Sequence, residues 1–245
     1  MPSNSLRHPW YRTSLQLVVL LAGAFAAAGC TNRERDPRRQ KVSQFSYIAN
    51  AIQCFQNAEP SSSVSSVHRN CFGQRLGSWR AYMPVEQVGT PFDYSLPWFD
   101  PRNHAVSAYP NALFCLSSQR GTTAGSLDTQ VCGLIGHGSG FGDGTSLFAR
   151  PLPPNVIVLI EVADSHLLWM EPGDLDIQSV TPGIVQGADG MGLVVAFADG
   201  EAWFLDCSVP LIEINKFLTT DEARRYDREK VLGRYCKYRF NSRDR

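Results

Sequence analysis

The sequence predicts an α+β domain, one amphipathic helix followed by a mainly β body with long connections, and three stretches carry that prediction. QKVSQFSYIANAIQCFQN places Val42, Phe45, Ile48, Ile52 and Phe55 three or four residues apart, which lines one face of a helix. NVIVLIEVA, residues 155–163, is a nearly continuous β-branched run of strand length, suited to a central strand buried on both faces. LVVAFADGEAWFL, residues 193–205, sets two apolar runs on either side of Asp199-Gly200, the strongest local hairpin signal.

Length and composition agree with a folded body. The 245 residues are 43% hydrophobic and 11% aromatic, enough to build one well-packed core. Formal charge is zero and no block of five or six like charges occurs, so the electrostatic footprint of a nucleic-acid binder is missing. Nucleic acid is excluded as an expected partner.

The chain divides from its N-terminus. Arg7 and Arg12 form a basic start, residues 15–28 carry no charge, and AAGC closes the segment with small residues ahead of Cys30. That order predicts a secretory signal over residues 1–29. Its apolar stretch is about 14 residues, short of the roughly 20 that a bilayer-spanning helix needs. A leader ending in small residues and Cys resembles the lipobox of bacterial lipoproteins, with Ala27 where such motifs usually carry Leu. The resemblance implies that Cys30 becomes the lipidated first residue of a mature chain that is exported and membrane-anchored. Loss of Arg7 and Arg12 with the leader shifts the formal balance from zero to about −2. Residues 30–41, beginning TNRERDPRRQK after Cys30, read as a solvated tether. The folded domain is expected over 42–218, with a charged, helical tail over 219–245.

Export gives the cysteines a meaning. Without Cys30, six remain: Cys54, Cys71, Cys115, Cys132, Cys207 and Cys236. An even number in an oxidising compartment predicts disulfides, though six cysteines allow 15 pairings. The simplest scheme joins near neighbours: 54 with 71, 115 with 132, and 207 with 236. No CxxC occurs, and the histidines do not stand near cysteines at ligand spacing, so neither a metal nor another cofactor is expected.

Between the anchoring stretches, residues 61–66 are a polar loop. From there to about 150 the chain is rich in Gly, Pro, Ser and aromatics without helical period, which predicts short strands and long connections. A type I′ turn at Asp199-Gly200 sets Ala198 opposite Glu201, Phe197 opposite Ala202, Ala196 opposite Trp203 and Val195 opposite Phe204. Both faces of that ribbon are apolar, so it belongs inside a layered structure. Asp199 is then a turn residue rather than a catalytic one. Thr219 and Glu222 resemble a capping box opening a helix over 221–232.

The polar cluster EVADSHLLWMEPGDLD holds Glu161, Asp164, Glu171, Asp174 and Asp176 with His166 and Trp169. Carboxylates beside a Trp are what a sugar-binding groove or a glycosidase uses. No spacing sets two of them at a glycosidase separation, so Glu161, Asp164, Trp169, Glu171 and Asp174 stand as ligand contacts rather than catalysts. Asp174 and Asp176 lack the EF-hand pattern for calcium. GHGSGFGDG, residues 136–144, shares only its glycines with a phosphate loop and reads as a flexible turn; Ser139 is in no GxSxG elbow.

The phrase around Asp199-Gly200 resembles the C-terminal tag of a planctomycete envelope family, domain-of-unknown-function family 1559. LGSWRAYMPVEQ, PWFDPRN, FCLSS, GDGTS and IEVADSHLLWMEPGDLDI follow in the order of that family, over roughly residues 40–220. The resemblance implies a pseudopilin-like layout, an N-terminal helix packed on a mainly antiparallel sheet with long loops, and no established reaction. Where the tag carries His, this chain has Asp189.

These readings combine into one functional expectation, a membrane-tethered envelope protein with a non-enzymatic structural or protein-interaction role. Its expected partners are the membrane, through the lipid anchor, and other envelope proteins or glycans. The alternative is an extracytoplasmic solute- or glycan-binding module using residues 161–176.

Overall fold

The computed structural model describes residues 36–58, 67–69, 74–82, 92, 93, 95–108, 111, 113–116, 127–142, 152–187 and 190–241. The expected leader, Cys30, Cys71 and Asp189 lie outside these residues, as does the side chain of Cys54.

Helix α1 (Pro37–Ala58) begins five residues before the apolar period does. Asp36 explains the early start: its carboxylate accepts the Arg38 backbone N–H at 3.0 Å, and Pro37 fills the first helical position, where its fixed φ is pre-organised. Residues 37–41, assigned to the tether by composition, are therefore helix. Arg38 and Arg39 lie over the Phe204 and Tyr238 rings at 5.4 and 5.0 Å. The period holds over Val42, Phe45, Ile48 and Ile52, all buried with Ala49 beside them, while the side chain of Phe55 lies outside the described residues.

Six strands form one sheet: β3 (Val131–Ile135), β4 (Ile157–Glu161), β5 (Leu175–Asp176), β6 (Gly192–Phe197), β7 (Glu201–Asp206) and β8 (Cys236–Asn241), in the order β5-β3-β4-β6-β7-β8. The sheet is mixed: β3 pairs with β5 in parallel and every other neighbour is antiparallel. Strand β4 is the expected central strand, buried along its whole length. A separate antiparallel ribbon pairs β1 (Val67–Arg69) with β2 (Arg75–Ser78).

The β6–β7 hairpin exists, but its register is one residue from the expected one. Val194 pairs with Phe204, Val195 with Trp203 and Ala196 with Ala202. Ala198, Asp199 and Gly200 form a three-residue loop closed by the Gly200 N–H on the Phe197 carbonyl at 3.0 Å. Among described non-glycine residues only His166 has positive φ, so Asp199 does not, and the type I′ turn is ruled out; Gly200 alone takes φ 87°. This is the geometry of a turn followed by a left-handed bulge residue, which Asp-Gly satisfies as well as it satisfies type I′. The shift regroups the faces. Val194, Ala196, Ala202 and Phe204 share the side of α1, where the Ser46 hydroxyl and the Asn50 amide donate to the Gly200 carbonyl at 2.7 and 3.1 Å. Phe197 and Trp203 share the other side, edge to face at 5.3 Å.

Three further differences follow from local chemistry. Helix α2 (Pro101–Ser107) stands where only strands and loops were expected, opened by the Asp100 carboxylate on the Arg102 N–H and by Pro101 in the first turn. After a short α3 (Pro182–Gln186) and α4 (Leu211–Asn215), the expected helix 221–232 is two: α5 (Thr220–Ala223), capped by Thr219 on the Glu222 N–H, and α6 (Arg228–Leu232), capped by Asp227 on the Glu229 and Lys230 N–H groups. The expected tail is integral, because 236–241 supply the sixth strand, with Tyr238 and Phe240 alternating between exposed Lys237 and Arg239.

The proposed disulfides 115–132 and 207–236 are corrected. Cys115, Cys132, Cys207 and Cys236 are free thiols. Register explains the second pair: Cys236 stands opposite Leu205, two residues from Cys207, and such a diagonal separates Cα atoms by about 7–8 Å. A disulfide spans roughly 4.4–6.8 Å. Burial pushes the Cys132 thiol up to about 12 and that of Cys115 up to about 11, from an ordinary 9.0. Both stay protonated in the fold while an unfolded chain ionises them, so their contribution is complete below pH 9 and is lost as pH rises towards about 12. For Cys132 the loss reaches about 4 kcal/mol at the top of that window. Melting curves across the alkaline range are expected to fall less steeply for Cys132→Ala than for the parent; equal slopes contradict the assignment.

Candidate functional site

The segment running from the end of β4 to β5 carries all five ligand candidates, and the fold sends them in different directions. Glu161 closes β4 with 2% exposure. One of its oxygens meets the Lys41 ammonium at 2.5 Å, and the other accepts the Val194 backbone N–H at 3.1 Å. It therefore ties α1 to the sheet. Asp164 is exposed and meets the exposed His166 imidazole, Nδ1 at 3.0 Å, in a loop where His166 holds φ 53°. Trp169 is buried and stacks on Phe114 with centroids 6.1 Å apart. Glu171 is half-buried and accepts the Leu168 N–H at 3.3 Å, a local turn contact.

Asp174 goes inward. Its Oδ1 meets Nη2 of Arg80 at 2.6 Å, with 2% and 0% of the two side chains exposed. The same oxygen accepts the Gly133 N–H of β3 at 2.7 Å, and Oδ2 accepts the Trp79 indole N–H at 3.0 Å. Burial pushes the carboxyl up, against the pull of the Arg80 guanidinium and the Gly133 and Trp79 donors. Arg80 is equally engaged: Nε donates to the Val131 carbonyl at 3.0 Å, and Nη1 donates to the Ser78 hydroxyl at 2.8 Å and the Gly173 carbonyl at 3.0 Å. The guanidinium also lies 4.9 Å from the Trp79 ring centroid. This cluster locks β2 and the 3₁₀ turn after it (Trp79–Tyr82) onto β3 and the approach to β5. Asp176, two residues on, turns away and accepts the Gln178 N–H at 2.8 Å.

Arg80 was the residue that sequence reasoning missed. It stands 94 positions from Asp174, and its one local signal is a charge set between Trp79 and Ala81.

The glycine-rich loop is tied rather than loose over its described part, 136–142. Ser139 Oγ lies 2.9 and 3.1 Å from the Gly136 and Gly142 carbonyls, and Phe141 is buried against Trp79 with centroids 5.7 Å apart.

Asp199 answers to the backbone and to one cation. Its Oδ1 accepts the Glu201 N–H at 3.0 Å, and its Oδ2 meets Arg228 at 2.6 Å. Arg228 also pairs with Glu201, and its guanidinium lies over the Phe197 and Trp203 rings at 4.6 and 5.4 Å. It clamps α6 onto the hairpin. Arg228→Ala is expected to cost about 1–2 kcal/mol in urea denaturation, as two half-buried ion pairs and a cation–π contact go together; a loss below about 0.3 kcal/mol contradicts the clamp.

A depression of about 260 Å³ lies along β8, lined by Glu229, Gly233, Cys236, Lys237, Tyr238 and Arg239, and none of the five ligand candidates lines it. Among the described residues, no three His, Cys, Asp or Glu side chains gather as a metal would require, and no helix is long and apolar enough to cross a membrane.

The fold thus defines a class, a mixed α/β domain built on a six-stranded sheet with a few helices. Compared with known proteins, the chain matches no family model, no curated protein and no solved structure. The resemblance to the envelope family stands on its quoted phrases alone.

Proposed function

We propose that this chain is a membrane-tethered envelope protein whose folded domain has a structural or protein-interaction role, held to the membrane through Cys30. One observation carries the reading of the domain: the two most buried carboxylates of the 161–176 segment, Glu161 and Asp174, are neutralised by Lys41 and Arg80 inside the fold. Charges engaged in that way brace the domain and are not offered to a ligand. The tether reading is supported by the order of the leader, basic start, apolar stretch and small residues before Cys30. A pseudopilin-like layout is supported by the placement of α1 along the β6–β7 hairpin.

The test is a pull-down from envelope extracts with the membrane-bound mature chain as bait, alongside Arg228→Ala. Specific recovery of envelope proteins, reduced when the hairpin clamp is cut, is the expected result. Hydrolysis of model glycosides by the chain, lost in Glu171→Gln, would overturn the reading in favour of an enzyme.

A further inference from the structure

Phe99 is 65% exposed and yet held still. Among the described residues three large hydrophobic side chains are exposed, Phe99, Met191 and Ile212, and Phe99 is the one aromatic. The loop that carries it is pinned by buried Asn103, whose Oδ1 accepts the Asp93 N–H at 2.9 Å and whose Nδ2 donates to the Asp93 and Pro97 carbonyls at 3.1 and 3.0 Å. The Trp98 N–H donates to the Leu76 carbonyl of β2 at 2.6 Å, and the Trp98 ring meets Phe99 edge to face at 5.7 Å. A loop fixed in this way loses little freedom on meeting a partner, so the ring it presents is an anchor of low entropic cost.

The depression along β8 has room for one such ring. At about 260 Å³ it falls short of the roughly 300–1,000 Å³ of small-molecule clefts. Tyr238 and Arg239 point to opposite faces of the strand and both line it, so it lies along the outer edge of β8, the last strand of the sheet, with Glu229 and Gly233 as its far wall. Its cations already have acids: Arg239 meets Glu229 at 2.7 Å, and Lys237 meets Asp206 at 3.7 Å. Net charge therefore does not select the occupant. What paired cations still offer is attraction to the face of an aromatic ring, which Met191 and Ile212 lack.

The two features stand at opposite edges of the sheet. The Phe99 loop hangs from β2, which Arg80 and Asp174 hold against β3 and the approach to β5, at the other end of the strand order from β8. Six strands spaced by about 4.8 Å put roughly 24 Å between those edges. A chain does not reach its own depression across that distance, and a second copy does. Because ring and depression are different surfaces, their contact is heterologous and leaves one of each unused at the ends, ready to repeat. Asp100 and Arg102, paired beside Phe99 at 3.2 Å, bring one acid and one cation to a rim where Glu229 and Lys237 supply the same.

We propose that Phe99 of one copy seats in the β8 depression of the next, between Lys237 and Arg239, so that the domains associate head to tail. This rests on the interaction role proposed above, to which it gives a partner, and is independent of the tether. The full chain in detergent, with photoreactive benzoylphenylalanine in place of Phe99, is expected to form a cross-linked dimer on illumination, with residue 99 joined to the peptide spanning 229–239. In sedimentation over a range of concentrations, Phe99→Ala and the double variant Lys237→Ala with Arg239→Ala are each expected to associate at least about tenfold more weakly than the parent. All three side chains are exposed, and unchanged thermal unfolding confirms that the variants fold. An equal mixture of the two variants has one ring and one depression per pair and is expected to recover dimers and nothing longer. A monomeric parent, a mixture no more associated than its components, or a cross-link from 99 to any other site overturns the head-to-tail contact. A cross-link to a different envelope protein alone overturns it as well and leaves the interaction role standing.

Discussion

Asp174→Ala is expected to cost about 3–5 kcal/mol of folding stability, because it leaves the fully buried Arg80 guanidinium without its counter-charge. The loss is larger than that of a surface ion pair for a specific reason. Arg80 has no exposed surface, and its remaining bonds go to the Val131 and Gly173 carbonyls and the Ser78 hydroxyl, all neutral acceptors. The Gly133 and Trp79 N–H groups lose their acceptor as well. Replacing both partners by apolar groups of similar size, Arg80→Met with Asp174→Leu, removes the buried charge altogether and is expected to recover most of the loss. Urea denaturation midpoints for the parent, the single variant and the double variant measure this directly. If the single variant does not accumulate, recovery of soluble protein in the double variant carries the same information. Single and double variants of equal stability would contradict a buried, mutually dependent pair.

Gly200→Ala has the second largest expected effect, about 2–4 kcal/mol, and it acts through the backbone and through α1 together. At φ 87° an alanine is strained wherever it sits. Here its Cβ would also fall 2.3–2.5 Å from the side-chain amide of Asn50, which must move and lose its bond to the Gly200 carbonyl. Pairing the change with Asn50→Ala relieves the collision but not the strain. The double variant is therefore expected to be less destabilised than the two single losses together, by about 1 kcal/mol. Strict additivity in thermal or urea unfolding would mean that helix and hairpin do not touch as described.

The parts of the fold that were legible in the sequence are those with a local period. The apolar face of α1 repeats every three or four residues, and β4 is a β-branched run of strand length, so each announces its own burial. The hairpin was legible as a hairpin but not in its register, because Asp199-Gly200 serves a three-residue loop as readily as a two-residue one, and the choice of Ala198 as a third loop residue is made by packing on both faces. Signals for α2 and β8 were present and outweighed. Asp100-Pro101 is a cap followed by a first-turn proline, inside a stretch dominated by loop residues. Tyr238 and Phe240 alternate with Lys237 and Arg239, inside a stretch dominated by charge. The candidate site was legible only as a list of acids: nothing in Glu161 or Asp174 says that Lys41, 120 positions away, or Arg80, 94 positions away, neutralises it. Long-range pairing of that kind leaves no trace in a single sequence, which is why the sequence does not show that two of the five candidates, Glu161 and Asp174, are ion-paired between elements.

The proposed tether at Cys30 is tested most directly by the mass of the intact mature chain extracted from the membrane fraction. A mass equal to residues 30–245 plus a lipid modification, with the modification on the peptide that begins at Cys30, is the predicted result. An unmodified full-length chain, leader attached, recovered from the soluble fraction would contradict it.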